Sequence, residues 1–340
     1  MTVVNKKVFF ATAALAASFA AVADDARGLL VRMERALASR NYQGTFVHEH
    51  DGQSETLKIV HRVNGNNISE RIVSLDGSGR EVIRRDGELT AYFPDRRVVL
   101  VQSGPKEGLL LTDLLKLDSA VAQMYRLNEE APNRVSGRLA RVIAIEPQDN
   151  LRYGYRVWID DHSAMPIKTQ LRTAAGRVVE QLVFTELTLP THVADEALQP
   201  ALATNGYRWV RRETATAASR DGSDTTWNAS ELPPGFRLTA NSTQVMTGSN
   251  TVVTHLVFSD GLASVSVFVE PETRSRPRQP KVALPETVTN LGSSSALSTE
   301  VDGHKVTAIG EVPPDTVRAI ANSIRAGFAP EVRPLAGAPH

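Results

Sequence analysis

Two short runs place ionisable side chains close enough together to do chemistry. His48-Glu49-His50 sets two imidazoles two residues apart, and on a strand both project from one face, as two metal ligands would. Asp160-Asp161-His162 offers the acid and the base of a catalytic triad. Neither set is complete. Two ligands do not make a zinc site, and the other His residues are scattered, so cross-strand packing on a half-exposed sheet is expected at 48–50 and no metal. Side chains at consecutive positions diverge, and no Ser can be assigned as the nucleophile for Asp160 and His162, so a strand-ending turn is expected there. A nucleophile elbow, an HExxH helix, a phosphate loop and a Gly-rich dinucleotide turn are all missing, and the absence of Cys excludes thiol catalysis. No catalytic residue, cofactor or enzymatic activity is expected.

The elements that frame these residues begin with a leader. Lys6 and Lys7 precede an uncharged stretch, Val8 to Val22, which suits a signal-peptide core and is short for a membrane span; it closes on Ala21-Val22-Ala23. Cleavage is expected between Ala23 and Asp24, giving a soluble, exported protein with no lipobox and no disulfide. Removing the leader takes two Lys from 38 basic residues and leaves 36 against 38 acidic, a charge near −2 that gives no electrostatic case for nucleic acid. The remaining 340 − 23 = 317 residues exceed what one core usually organises, so two domains are expected.

Asp24 and Asp25 can cap a helix through Ser39, with Leu30, Met33 and Leu37 on one face. The period then changes to two. Between Tyr42 and Gln102, Asp51-Gly52, Asn64-Gly65, Asp76-Gly77, Asp86-Gly87 and Pro94-Asp95 punctuate runs of five to nine residues, which predicts a meander of about six antiparallel strands. Leu57, Ile59, His61 and Val63 share one face of the second strand and Lys58, Val60 and Arg62 the other. The Leu-rich stretch from Gly108 to Arg126, ending in Met124 and Tyr125, suits one or two helices. Strands resume at Arg141 to Glu146, Tyr153 to Ile159, Pro166 to Arg172 and Arg177 to Leu187. Ten or so antiparallel strands with a few helices make an α+β domain whose sheet can curl into a partial barrel.

Thr214 to Thr226 has no aliphatic side chain beyond Ala and reads as linker. A smaller unit follows: a strand at Phe236 to Val245, a hairpin of Thr251 to Phe258 and Leu262 to Glu270 about Ser259-Asp260-Gly261, and a turn at Val301-Asp302-Gly303-His304. A helix opened by Pro313-Pro314-Asp315 closes it, with Val317, Ile320 and Ile324 on one face. Pro271 to Pro280 reads as a basic, proline-rich exposed loop. The expected division is a signal peptide 1–23, a large domain 24–203, a linker 204–226, a small domain 227–328 and a tail 329–340. Phe46, Phe93, Leu100, Trp158 and Phe184 are the large apolar side chains that would fill or line the concave side of the first sheet; with aromatics only 6% of the chain, such a sheet leaves room for an apolar ligand.

Along nearly its whole mature length the chain resembles the MucB/RseB family of periplasmic regulators of the envelope-stress sigma factor. The resemblance rests on Asn41 to Phe46, on Arg80 to Arg85 before Tyr92-Phe93-Pro94-Asp95, and on Tyr155 to Asp160 followed by Met165-Pro166. In the smaller unit it rests on Trp227, Leu232 to Phe236, Phe258 to Leu262 with Ser264 to Val267, and Gly310 to Pro314. One departure is Glu231, where the family commonly has an aromatic. The resemblance implies a half-open antiparallel β-barrel similar to the carriers LolA and LolB, joined to a smaller α/β domain. It implies binding of the periplasmic segment of a MucA- or RseA-like anti-sigma factor, protection of that segment from proteolysis, and release when lipid or lipopolysaccharide is sensed. The hairpin around Phe258, Asp260, Gly261 and Phe268 would then offer strand edges and aromatic anchors to an extended peptide, with Arg274, Arg276 and Arg278 adding positive charge. The competing reading is a periplasmic lipid or lipoprotein carrier, against which the second domain argues; homo-oligomerisation is left open.

Overall fold

The computed structural model describes residues 25–65, 67–103, 121–212, 225–245, 251–271 and 288–328. The leader and its cleavage site, most of the Leu-rich stretch, the tail and the loop carrying Arg274, Arg276 and Arg278 lie outside the described residues.

Helix α1 (25–39) turns Leu30, Met33 and Leu37 inward, all of them buried. The meander follows as β1 (Tyr42–His50), β2 (Gln53–Asn64), β3 (Asn67–Ser74), β4 (Glu81–Arg85), β5 (Glu88–Phe93) and β6 (Val98–Ser103). Asp51-Gly52 and Asp86-Gly87 hold positive φ at both positions, the requirement of a two-residue hairpin whose twist matches its strands. A short helix α2 (Val121–Met124) precedes β7 (Tyr125–Val135), β8 (Arg138–Pro147), β9 (Gly154–Asp160), β10 (Pro166–Arg172) and β11 (Val178–Thr188), and β12 (Arg208–Arg212) comes last. These strands form one open sheet in the order β12-β6-β5-β4-β3-β2-β1-β11-β10-β9-β8-β7, in which only the β12–β6 pair is parallel. Tyr125 therefore opens a strand and does not end a helix. Residues 208–212, expected in the linker, are an edge strand of the large sheet.

The centre of the sheet is the long-range pair β1–β11. A register shift between Thr45 and Phe46 skips Thr185, whose hydroxyl donates to Thr45 O, so that Leu187 faces Gly44 and Phe184 still faces Phe46. Without the shift, one of these two apolar side chains would point away from the core. Gly44 is required there, because a Cβ would meet Glu186 O and come within 2.9 Å of the Phe184 ring.

The second sheet runs in the order β14-β15-β16-β19-β18-β17, built from β14 (Arg237–Val245), β15 (Val252–Ser259), β16 (Ser264–Pro271), β17 (Thr289–Leu291), β18 (Ser294–Val301) and β19 (His304–Gly310). Its inner row Leu256, Val267, Ala308 and Leu297 packs under α3 (Pro314–Ser323), which contributes Val317, Ile320 and Ala321. Ile324, expected to continue the helix, instead begins β20 (Ile324–Phe328), which pairs with β13 (Thr225–Ala229). It is buried all the same, among the same side chains.

Candidate functional site

The two runs that suggested chemistry are structural. Asp160 ends β9, and its carboxylate accepts from the Ser163 amide at 3.0 Å and from the Ser163 hydroxyl, closing a turn. His48 and His50 share a face with ring centres 4.8 Å apart, and His48 Nε2 lies 2.7 Å from Glu180 Oε1 on β11. Among the described residues no group of three His, Asp or Glu side chains is arranged to hold a metal ion.

The five residues expected to line a cavity divide into three groups. Phe46 and Phe184 touch, ring centres 5.5 Å apart, and both are fully buried beside α1: they are core. Trp158 belongs to the opposite face. Cross-strand pairing aligns it with Val142 and Lys168, while its neighbour Val157 aligns with Ile143 on the Phe184 side. Its ring lies under the Lys168 ammonium at 4.7 Å and the Arg156 guanidinium at 5.9 Å. Trp158 is thus corrected from a concave-face position to a cation-covered one. Phe93 and Leu100 are half-buried, and the register Gly44, Ile59, Ile72, Val82, Ala91, Leu100 carries one apolar row across six strands on the Phe46 face. Beside it runs a polar row. Tyr42 stacks on His61 at 4.3 Å, His61 Nδ1 lies 2.8 Å from Glu70 Oε1, and Arg84 Nε donates to Glu70 Oε2 at 3.1 Å, all four side chains buried. Burial, and then the Glu70 charge, hold the Tyr42 phenol well above its ordinary value.

The residues expected to grip a partner are likewise separated. Phe258 is 0% exposed in the core of the small sheet and offers no anchor. Phe268 stands on the other face of that sheet, half-buried, its ring stacked 4.4 Å from His255. Asp260 and Gly261 form a turn that faces inward to the large sheet. Asp260 is 0% exposed; its Oδ1 accepts the amides of Leu262 and Ala263, and its Oδ2 accepts from Tyr125 at 3.1 Å and from Arg152 Nη1 at 2.5 Å.

That contact is the joint between the two sheets. Arg152, also 0% exposed, donates further to Asp149 Oδ1 and to Pro234 O, and its guanidinium lies 5.4 Å from the centre of the Phe236 ring. Burial works against its charge, but Asp149 and Asp260 outweigh that and raise its pKa. Leu262 joins the core of the large sheet, and Thr316 of α3 donates to Leu151 O. At Gly235, where φ is +83, a Cβ would lie 2.8 Å from Met124. A second contact lies at the other end, where Gly292 approaches His50 and Asp51. Sequence reading missed Arg152 because its partner lies 108 residues away.

Comparison with known proteins matches both sheets. The profile of the MucB/RseB N-terminal domain fits residues 25–202, and that of the MucB/RseB C-terminal domain residues 221–325. The "Sigma factor AlgU regulatory protein MucB" of Pseudomonas aeruginosa is 33% identical over 309 residues, covering 89% of this chain and 92% of that protein. The "Sigma-E factor regulatory protein RseB" of Escherichia coli K12 is 27% identical over 336 residues, 95% and 99% of the two chains. A solved structure described as MucB in complex with MucA(peri) superposes with a TM-score of 0.67 at 31% identity, covering 90% of this chain and all of that one.

Proposed function

Because this chain belongs to the MucB/RseB family, we propose that it is a periplasmic regulator that binds the periplasmic segment of a transmembrane anti-sigma factor and so restrains the envelope-stress sigma factor. Bound, the segment is shielded from regulated proteolysis; lipid or lipopolysaccharide from a damaged envelope releases it. The observation that carries the reading is the shared fold, across both sheets, with a MucB solved with MucA(peri). No helix among the described residues is long and apolar enough to cross a membrane.

We assign each ligand to residues that packing leaves accessible. With Phe258 and Asp260 withdrawn, Phe268 on the outer face of the small sheet and the Arg274, Arg276 and Arg278 loop remain as the proposed partner contacts. With Phe46 and Phe184 packed as core, the half-buried Phe93 and Leu100 at the far end of the apolar row are the proposed lipid contacts. A lipid releases the partner only if it favours the released arrangement, with a coupling of about 1 to 3 kcal/mol.

The test immobilises the periplasmic segment of the anti-sigma factor from the same organism. The mature protein should be retained, should protect the segment from the site-one protease, and should elute with lipopolysaccharide. Folded protein, verified by circular dichroism, that passes through unretained would sink the reading.

A further inference from the structure

A hollow of about 430 Å³ lies across β8, β9 and β10, on the sheet face that carries Trp158 and Lys168. Arg126, Arg156 and Arg172 line it, with Glu146 as the only carboxylate among the lining residues. Strand pairing sets Arg126 opposite Glu146, Arg156 opposite Ala144, and Arg172 opposite Gly154, which places the three guanidinium groups on one face of neighbouring strands. Three Arg less one Glu leave two positive charges uncompensated. Adding the neighbours Lys168, Glu130 and Glu49 lowers that excess to one, with Glu130 paired to Arg156 at 2.6 Å. Glu146 is itself occupied by the Asn128 amide at 2.7 Å.

Two of the arginines are held in place. Arg172 donates from both Nε and Nη2 to Gly176 O, and Arg156 lies against the Trp158 ring. Arg156 Nε is buried and has no hydrogen-bond partner, a donor that costs free energy until an acceptor meets it. Burial holds the Lys168 ammonium below its ordinary value, against the attraction of Glu49 and with Arg156 repelling it.

We propose that this hollow is a binding site for a phosphate monoester. A planar guanidinium matches phosphate oxygens in pairs, and a monoester carries about −1.5 to −2 at neutral pH, close to the excess charge of the lining; a single carboxylate would leave half of it unmet. The aliphatic part of the lining is short, so the site takes the charged head of a ligand and not an acyl chain. The same chemistry is offered by a phosphorylated lipid headgroup and by a soluble phosphate compound. The assignment does not depend on the anti-sigma partner.

Trp158 is a built-in reporter, since its ring touches two of the cations concerned. In a Trp209→Phe background, which removes the exposed indole, emission is followed against inorganic phosphate at fixed ionic strength, and against vesicles of phosphatidylcholine with and without phosphatidic acid. A saturable change is expected with phosphate, with phosphatidic-acid vesicles, or with both. Response to phosphate alone assigns a soluble ligand, and response to vesicles alone a headgroup. Arg156→Gln and Arg172→Gln should each weaken binding about ten- to a hundredfold. Arg126→Gln, at an exposed position where folding is not at stake, should weaken it less, and Arg318→Gln on α3 not at all. No saturable response to either probe, or a response that follows salt alone and survives all three substitutions in the hollow, overturns the proposal.

Discussion

Glu180 accepts from His48 across the central strand pair, so its carboxylate ties β11 to β1. Burial pushes its pKa up, but the His48 hydrogen bond, the Ser293 hydroxyl and the nearby imidazoles outweigh burial and hold it below the usual Glu range. A carboxylate depressed in the folded state contributes stability that is full above its unfolded pKa, about 4.3, and is lost as pH falls through the folded value. Thermal melts should therefore show stability falling below about pH 4.3, and Glu180→Gln should flatten that fall; an unchanged acid limb in the variant contradicts the assignment. Glu70 makes a harsher case. It sits fully buried between His61 and Arg84, so Glu70→Leu strands two buried polar groups and should cost about 3 to 5 kcal/mol in urea denaturation. Alternation alone put His61 on the packed face. Its partners were not legible, because the register that aligns residues 61, 70 and 84 is set by two turns at once.

Strands announced by Asp-Gly turns and alternating aliphatics, β1 to β6, are legible in the sequence almost residue by residue, since turn chemistry and period agree. Those that failed to announce themselves are edges. β7 contains Pro132 and acidic residues, tolerated because one side of an edge strand needs no donor and because a bulge lies between Glu130 and Asn133. β12 reads Arg-Trp-Val-Arg-Arg, charged as an edge strand is when it discourages further pairing. Trp158 sits beside a register shift of its own, between Pro166 and Lys168, and parity counted along separate strands cannot show a skipped residue between them. Phe184→Ala should cost about 3 to 5 kcal/mol, since the gap at a packed pair cannot close, whereas Leu100→Ala in the half-buried row should cost less and weaken lipid binding more. Equal losses of stability with no change in lipid binding would remove Leu100 from the ligand face.

On the scale of the molecule, the joint is a buried ion pair set in apolar contacts, where a swinging hinge would present mobile, hydrated groups. The two sheets should melt in one transition. Arg152→Ala leaves Asp260 buried without its cation and should cost about 3 to 5 kcal/mol, splitting the melt in two as the sheets uncouple; Arg152→Met with Asp260→Leu should recover much of the loss. A single, unshifted calorimetric transition in Arg152→Ala would show the pair to be idle. The pairing of β1 with β11 has a further consequence, in time. A chain exported N-terminus first, as proposed above, can zip β1 to β6 by local hairpins as they emerge, but β1 keeps one open edge until residues 178–188 have crossed. Loop closure costs about 0.6 kcal/mol more for each doubling of length, so this last seam closes late and slowly compared with the hairpins. During that interval Phe46 and its bare strand edge are exposed together, which marks the half-exported chain, more than the finished protein, as the form that needs a chaperone.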